Sequence, residues 1–189
     1  MDKYLDYKLK IDAKPSLFHG STVRKAVGQS LWYRIRDYIL KKEVPVCCIC
    51  GFSPQQDEMR NLHLHEIDHY DFENIVVKLL GLNLICANCH AFHHFGFTQL
   101  YSSKEKMERL IEHFVKVNEC EINDFKEYRR SLLFRRQPDS EIKKTKSNLS
   151  FQDIKVGNYT VRYAILGDIP FKDEVIEKLN KKGLYYQYK

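Results

Sequence analysis

Apolar and polar positions alternate strictly from residue 4 to residue 12, with Leu5, Tyr7, Leu9 and Ile11 on one side and Asp6, Lys8, Lys10 and Asp12 on the other. A period of two predicts a half-buried strand, which Pro15 ends. From Ser21 to about Lys42 the spacing turns helical: Leu31, Ile35, Tyr38 and Ile39 form a stripe with Trp32 alongside, and Lys41-Lys42-Glu43-Val44-Pro45 closes it. Residues 51 to 61 are polar loop. Leu62-His63-Leu64-His65-Glu66-Ile67 then alternates again, so a strand there presents His63 and His65 together on one face. Asp71 can cap a short helix whose stripe is Phe72, Ile75, Val76, Leu79 and Leu80, with Gly81 as its stop. Leu82 to Cys86 is expected as a returning strand. The helix after it carries His90 and His94 four residues apart on one face, with His93 on a neighbouring face.

Further along, Ser102 or Ser103 opens a helix with Met107, Leu110, Ile111 and Phe114 on its apolar side, and another is expected from about Ile122 to Arg136. Residues 138–150 are polar and lysine-rich (Lys143, Lys144, Lys146) and suit a linker. A small βαβ-like tail follows: a strand from Tyr159 to Leu166, a helix from Lys172 to Lys181 and an aromatic strand from Leu184 to Tyr188. The expected organisation is an N-terminal strand and lead-in over 1–20, a main domain over 21–137, the linker 138–150 and a small C-terminal α/β appendage over 151–189. The fold class is α+β.

A chain of 189 residues can bury one good core plus an accessory part. Its formal charge of +6, from 31 basic and 25 acidic residues, permits a nucleic-acid partner without demanding one. No stretch approaches the roughly 18 apolar residues of a membrane helix, and the N-terminus is charged, so a cytoplasmic protein with no membrane partner is expected. In a reducing compartment cysteines serve as metal ligands or interior thiols more often than as disulfides.

Four of the six cysteines fall into two C-x2-C pairs, Cys47/Cys50 and Cys86/Cys89. Two-residue spacing gives each pair a tight bite, and four thiolates suit one closed tetrahedral zinc with a structural role. Cys48 and Cys120 are left as interior thiols. The histidines just inside and just beyond the cysteine pairs suit a second ion with open coordination positions, which hydrolytic chemistry needs.

The pattern resembles the HNH endonuclease superfamily. The resemblance rests on the knuckle Cys47-x2-Cys50-Gly51, the strand motif Leu64-His65-Glu66-Ile67-Asp68 and the closing Leu84-Ile85-Cys86-Ala87-Asn88-Cys89-His90-x3-His94. More narrowly it is similar to the branch in which a His-Glu pair precedes a Tyr-Asp and a Gly-Leu, here His65-Glu66, Tyr70-Asp71 and Gly81-Leu82, with Thr22-Val23-Arg24 and Trp32 upstream and Gly96 downstream. It covers roughly residues 15–137, its specific motifs lie within 47–96, and the last fifty residues are outside it.

The resemblance implies a ββα-metal core with structural zinc and flanking helices. It further implies hydrolysis of DNA phosphodiester bonds, in a setting such as bacterial or phage nucleic-acid defence. His65, His90 and His94 map to ligands of a catalytic divalent ion, Mg2+, Mn2+ or another. Two positions depart from the usual pattern. Glu66 stands where the general-base histidine is expected; it can itself accept a proton, or it can bind the ion and leave His63, Asp68 or His69 as the base. Gly81 replaces an asparagine, so Asn83 or Asn88 would supply its hydrogen bond. Arg24, Lys25, Arg34, Arg36, Arg129, Arg130, Arg135 and Arg136 could track phosphates, and Tyr185, Tyr186 and Tyr188 could stack bases or close a small sheet. RNA is a further possible substrate, a dimer is compatible with the chain, and a zinc-stabilised module that binds without cutting is the alternative function.

Overall fold

Ten residues of alternating character, Leu62–Asp71, form strand β1, and the chain returns at once as β2, Val76–Cys86. The connection of residues 72–75 is short enough only for an antiparallel return. The computed structural model describes residues 4–12, 14–135 and 157–188. Its helices are α1 (Val23–Val27), α2 (Gln29–Lys42), α3 (Ala87–His93), α4 (Phe95–Tyr101), α5 (Lys104–Asn118), α6 (Ile122–Arg135) and α7 (Lys172–Lys181). Strand β3, Arg162–Ile165, completes a sheet of order β1-β2-β3 and runs parallel to β2, with Val76 opposite Arg162 and Leu79 opposite Ile165. The class is mixed α+β. The linker expected at 138–150 lies outside the described residues, as do Arg136 and the side chain of Arg135.

Two compact units divide the chain, and neither is one continuous stretch: the described residues of Met1–Ala13, Pro45–His65 and Leu84–Gln137 form one, those of Lys14–Val44, Glu66–Asn83 and Pro138–Lys189 the other. The first is built on aromatic packing. Phe92 of α3 and Phe114 of α5 are fully buried with ring centroids 5.3 Å apart, Phe95 stacks on Phe92 at 5.4 Å, and Phe125 and Tyr128 of α6 close on Phe114. The expected strand over residues 4–12 is absent there, although its alternation survives in part, with Leu9 fully buried between exposed Lys8 and Lys10. Among the described residues no strand pairs with it. Helix side chains satisfy its backbone instead: Leu9 N–H donates to Asn118 Oδ1 at 2.9 Å, Asn118 Nδ2 donates to the Leu9 carbonyl at 2.9 Å, and Ile11 N–H donates to the Tyr128 hydroxyl at 3.2 Å.

In the second unit the helix expected over 21–42 is two helices, because Gly28 takes φ 88°, which a side chain rarely tolerates, and so separates α1 from α2. Helix α2 buries Leu31, Trp32, Ile35 and Ile39, and α7 buries Val175 and Leu179. The short helix expected after Asp71 is a turn and the start of β2. Asp71 still caps, but its carboxylate accepts from Glu73 N and Asn74 N in a turn, and β-branched Val76 and Val77 then enter the sheet beside β3. A short apolar run at spacings of three and four suits either element, and pairing with β3 decides it. Gly167 is required where β3 ends: a Cβ there would lie 2.1 Å from the Leu80 carbonyl oxygen.

The aromatic tail forms a single bridge, Tyr185 to Tyr163, rather than a strand, and its hydroxyls hold the hairpin turn. Tyr188 donates to Asp71 Oδ2 at 2.5 Å and Tyr186 to Asn74 Oδ1 at 3.0 Å, while Lys78 lies over the Tyr188 ring and Arg162 over that of Tyr186. Burial alone would raise the Asp71 pKa, but hydrogen bonds from Tyr188 and Asn74 and the Lys78 charge carry it well below the usual carboxylate range. Tyr188→Phe is therefore expected to cost about 1–2 kcal/mol in urea unfolding at pH 7. A depressed folded pKa adds stability that is present above the unfolded value near about 4 and lost as pH falls through the folded one. The wild-type advantage over Tyr188→Phe should accordingly shrink on strong acidification.

Candidate metal centres

The first cysteine pair sits in a loop whose turn is fixed by backbone hydrogen bonds: Cys47 N–H donates to Phe52 O at 2.8 Å and Gly51 N–H to Cys47 O at 2.9 Å, with Gly51 at φ 75°. The second pair opens α3, where Cys86 is the N-cap and its sulfur accepts from Cys89 N. Cys48 N–H reaches the Leu84 carbonyl at 2.9 Å, which ties the loop to the end of β2. The sulfurs of Cys47, Cys50, Cys86 and Cys89 all lie within 4.8 Å of one another, with Cys50 and Cys86 3.6 Å apart. A tetrahedral ion with bonds of about 2.3 Å needs sulfurs about 3.8 Å apart. These four cysteines could hold a metal ion. Hydrogen bonds from the Cys86 and Cys89 thiols pull the Cys47 pKa far down, despite burial, while the same contact with Cys47 pushes Cys86 up to about 12. One bare thiolate in the cluster suppresses the next, a conflict that a cation removes.

His113 of α5, which the sequence motifs did not single out, places Nε2 3.2 Å from the Cys89 sulfur. Burial lowers its pKa, so the ring is neutral and its N–H can donate to a ligating thiolate. The only clue in the sequence was a histidine next to Phe114 on the core side of a helix. Cys48 is exposed rather than interior, because the knuckle turn directs it outward between the two clustered thiols; Cys120 is half-buried.

The hairpin and α3 bring the histidines together. His63 and His65 alternate onto one face of β1. His90 rises from the first turn of α3 and His94 caps its end, fixed by Phe92 in the aromatic core. His63 stacks on His90 with centroids 4.8 Å apart, His90 meets His94 edge-on at 4.7 Å, and ligand atoms of His65, His90 and His94 lie within 4.8 Å of one another. Burial first, then the neighbouring His94, His63, His65 and His93, push the His90 pKa down to about 3. Imidazole nitrogens brought this close together suit a cation.

Glu66 takes a different position. Its carboxylate accepts from Val23 N at 3.2 Å and Arg24 N at 2.7 Å at the start of α1, as strand alternation demands of the residue after His65. Burial and the neighbouring Asp68 raise its pKa to about 7 against those two N–H donors. Asp68, on the same face, lies 3.6 Å from Lys14 Nζ, and His69 is exposed. Asn83 keeps Oδ1 buried with no hydrogen-bond partner among the described residues, and Asn88 is exposed. Among the basic residues, Arg24, Lys25, Arg34 and Arg130 are exposed, and Arg34 Nη1 donates to both Glu174 oxygens at 2.9 Å and lies over Phe171. No helix among the described residues is long and apolar enough to cross a membrane.

Comparison of the chain with protein-family models, with curated proteins and with solved structures returned no match. The centre is accordingly defined by its own geometry: an α+β chain with a cysteine cluster able to hold a metal ion, and a histidine cluster on the hairpin and helix that follow.

Loss of both acceptors in Glu66→Ala is expected to cost about 1–3 kcal/mol in urea unfolding. Glu66→Gln keeps an acceptor and cannot ionise. A carboxyl titrating near 7 when folded and about 4.3 when unfolded stabilises most below the unfolded value, and that part is lost as pH rises through 7. Wild-type stability should therefore fall between pH 5 and pH 8 by more than that of Glu66→Gln.

Proposed function

We propose that the chain is a metal-dependent endonuclease of the HNH type that hydrolyses DNA phosphodiester bonds. The observation that carries this reading is the convergence of His65 from the hairpin with His90 and His94 from α3, ligand atoms within 4.8 Å, in the same compact unit as the cysteine cluster. Cys47, Cys50, Cys86 and Cys89 hold a structural zinc in this account, with His113 as outer donor to Cys89, and the ion's binding energy contributes to folding. A divalent ion held by His65, His90 and His94, Mg2+, Mn2+ or another, would offset the charge that develops on the phosphate and the leaving oxygen.

The chain's own groups do the rest. The buried, crowded imidazole of His90 stays neutral near pH 7 and so offers a lone pair rather than a repelling charge. His63 shares a face of β1 with His65 and stacks on His90, which makes it the best candidate to take a proton from the attacking water. Glu66 has its carboxylate engaged by two backbone N–H groups, so its part is to anchor α1. That same engagement favours a second reading, a zinc-stabilised module that binds nucleic acid or a protein without cutting.

Cleavage of plasmid, linear duplex and single-stranded DNA, and of RNA, in Mg2+, Mn2+ and chelator separates the readings. His65→Ala and His90→Ala should reduce DNA cutting by at least about 100-fold and His63→Ala by a comparable factor, whereas Glu66→Gln should stay within about tenfold of wild type. No cutting of any substrate with any metal supports the binding module, and RNA cut in preference to DNA changes the substrate. Elemental analysis should find about one tightly held zinc per chain. It should be lost, together with thermal stability, in Cys47→Ser and Cys89→Ser.

A further inference from the structure

His93 has no part in the site described above, yet it is among the least satisfied polar side chains of the first unit. Its side chain is 19 % exposed, and both ring nitrogens, Nδ1 and Nε2, are shielded from solvent with no hydrogen-bond partner among the described residues. A buried imidazole that has given up its hydration without gaining a bond calls for a ligand or an ion. The His65 ring lies against it with centroids 4.2 Å apart. Asp12 places Oδ2 3.8 Å from Nδ1, too far for a hydrogen bond but suitable for two donors facing one cation. Ligand atoms of Asp12, His65 and His93 all lie within 4.8 Å of one another.

We propose that Asp12, His65 and His93 form a second divalent-cation position that shares His65 with the first. Two imidazoles and one carboxylate make a borderline donor set that suits Mn2+, Co2+ or Zn2+ and leaves coordination positions open. Asp12 is half-exposed, which gives an ion a way in, and it supplies the negative charge that the first position lacks. The inference rests on the cation-cradle reading of His65 made above and extends it from one ion position to two. Each imidazole nitrogen carries one lone pair, so ions at the two positions compete for His65 unless each takes a different ring nitrogen.

The test removes the first position and asks whether the second still binds. Full-length protein with its zinc in place is titrated with Mn2+, and bound ion is read by electron paramagnetic resonance and calorimetry, with circular dichroism as a check on folding. His90→Ala should still bind one Mn2+, and adding Asp12→Asn or His93→Ala should weaken that binding at least tenfold. His94→Ala serves in the same way if His90→Ala fails to fold. Absence of Mn2+ binding by folded His90→Ala and His94→Ala, or binding that Asp12→Asn and His93→Ala leave unchanged, would overturn the proposal. The nuclease reading fails separately: DNA cutting by wild type with no Mn2+ on His90→Ala removes only the second position. The expected Mn2+ binding without any cutting removes only the nuclease.

Discussion

Helix α3 is held at both ends of its short length, and the histidine cluster depends on that restraint. At its start Cys86 caps the helix and Cys89 turns into the thiol cluster, while one and a half turns later Phe92 is fully buried against Phe95, Phe114 and Phe125. Seven residues leave little freedom between two such anchors. His90, His93 and His94 are therefore aimed by packing and by the thiols. The hairpin supplies the complementary fixed element, since strand alternation puts His63 and His65 on one face whatever else β1 does.

The other face of β1 is structural in a more local way. Glu66 closes on the first two N–H groups of α1, Asp68 meets Lys14, and Tyr70 stacks on Phe18 at 5.0 Å. A helix of only five residues has almost no cooperativity of its own, so a buried carboxylate on its N–H groups substantially stabilises it. One strand thus presents candidate cation chemistry on one side and a tertiary anchor on the other. Adjacent residues, His65 and Glu66, fall to different tasks because the strand period is two.

Features set by local spacing were legible in the sequence. The two C-x2-C pairs and the His90/His94 pair depend on a few consecutive residues, and α2 and α5 announce themselves by apolar stripes several turns long. What escaped depends on partners distant in sequence. Residues 4–12 have a strand's alternation, but Asn118 and Tyr128 satisfy their backbone, more than a hundred residues away. The segment after Asp71 has spacings that fit helix or strand, and only β3, beyond residue 160, resolves them. Glu66 reads as a base beside a histidine until Val23 and Arg24 are known to lie on it, and His113 and Asp12 carry no motif that marks them as neighbours of the two clusters.

The central claim is that the cysteine cluster and the histidine cluster are two chemically distinct cation positions built on one hairpin and helix. X-ray absorption at the zinc and manganese edges, on protein loaded with both ions, tests it most directly. Zinc should show only sulfur neighbours, at about 2.3 Å, and manganese only nitrogen and oxygen, with imidazole scattering that falls in His65→Ala. Zinc with nitrogen or oxygen neighbours in place of sulfur, or a manganese spectrum unchanged by His65→Ala, would contradict the account.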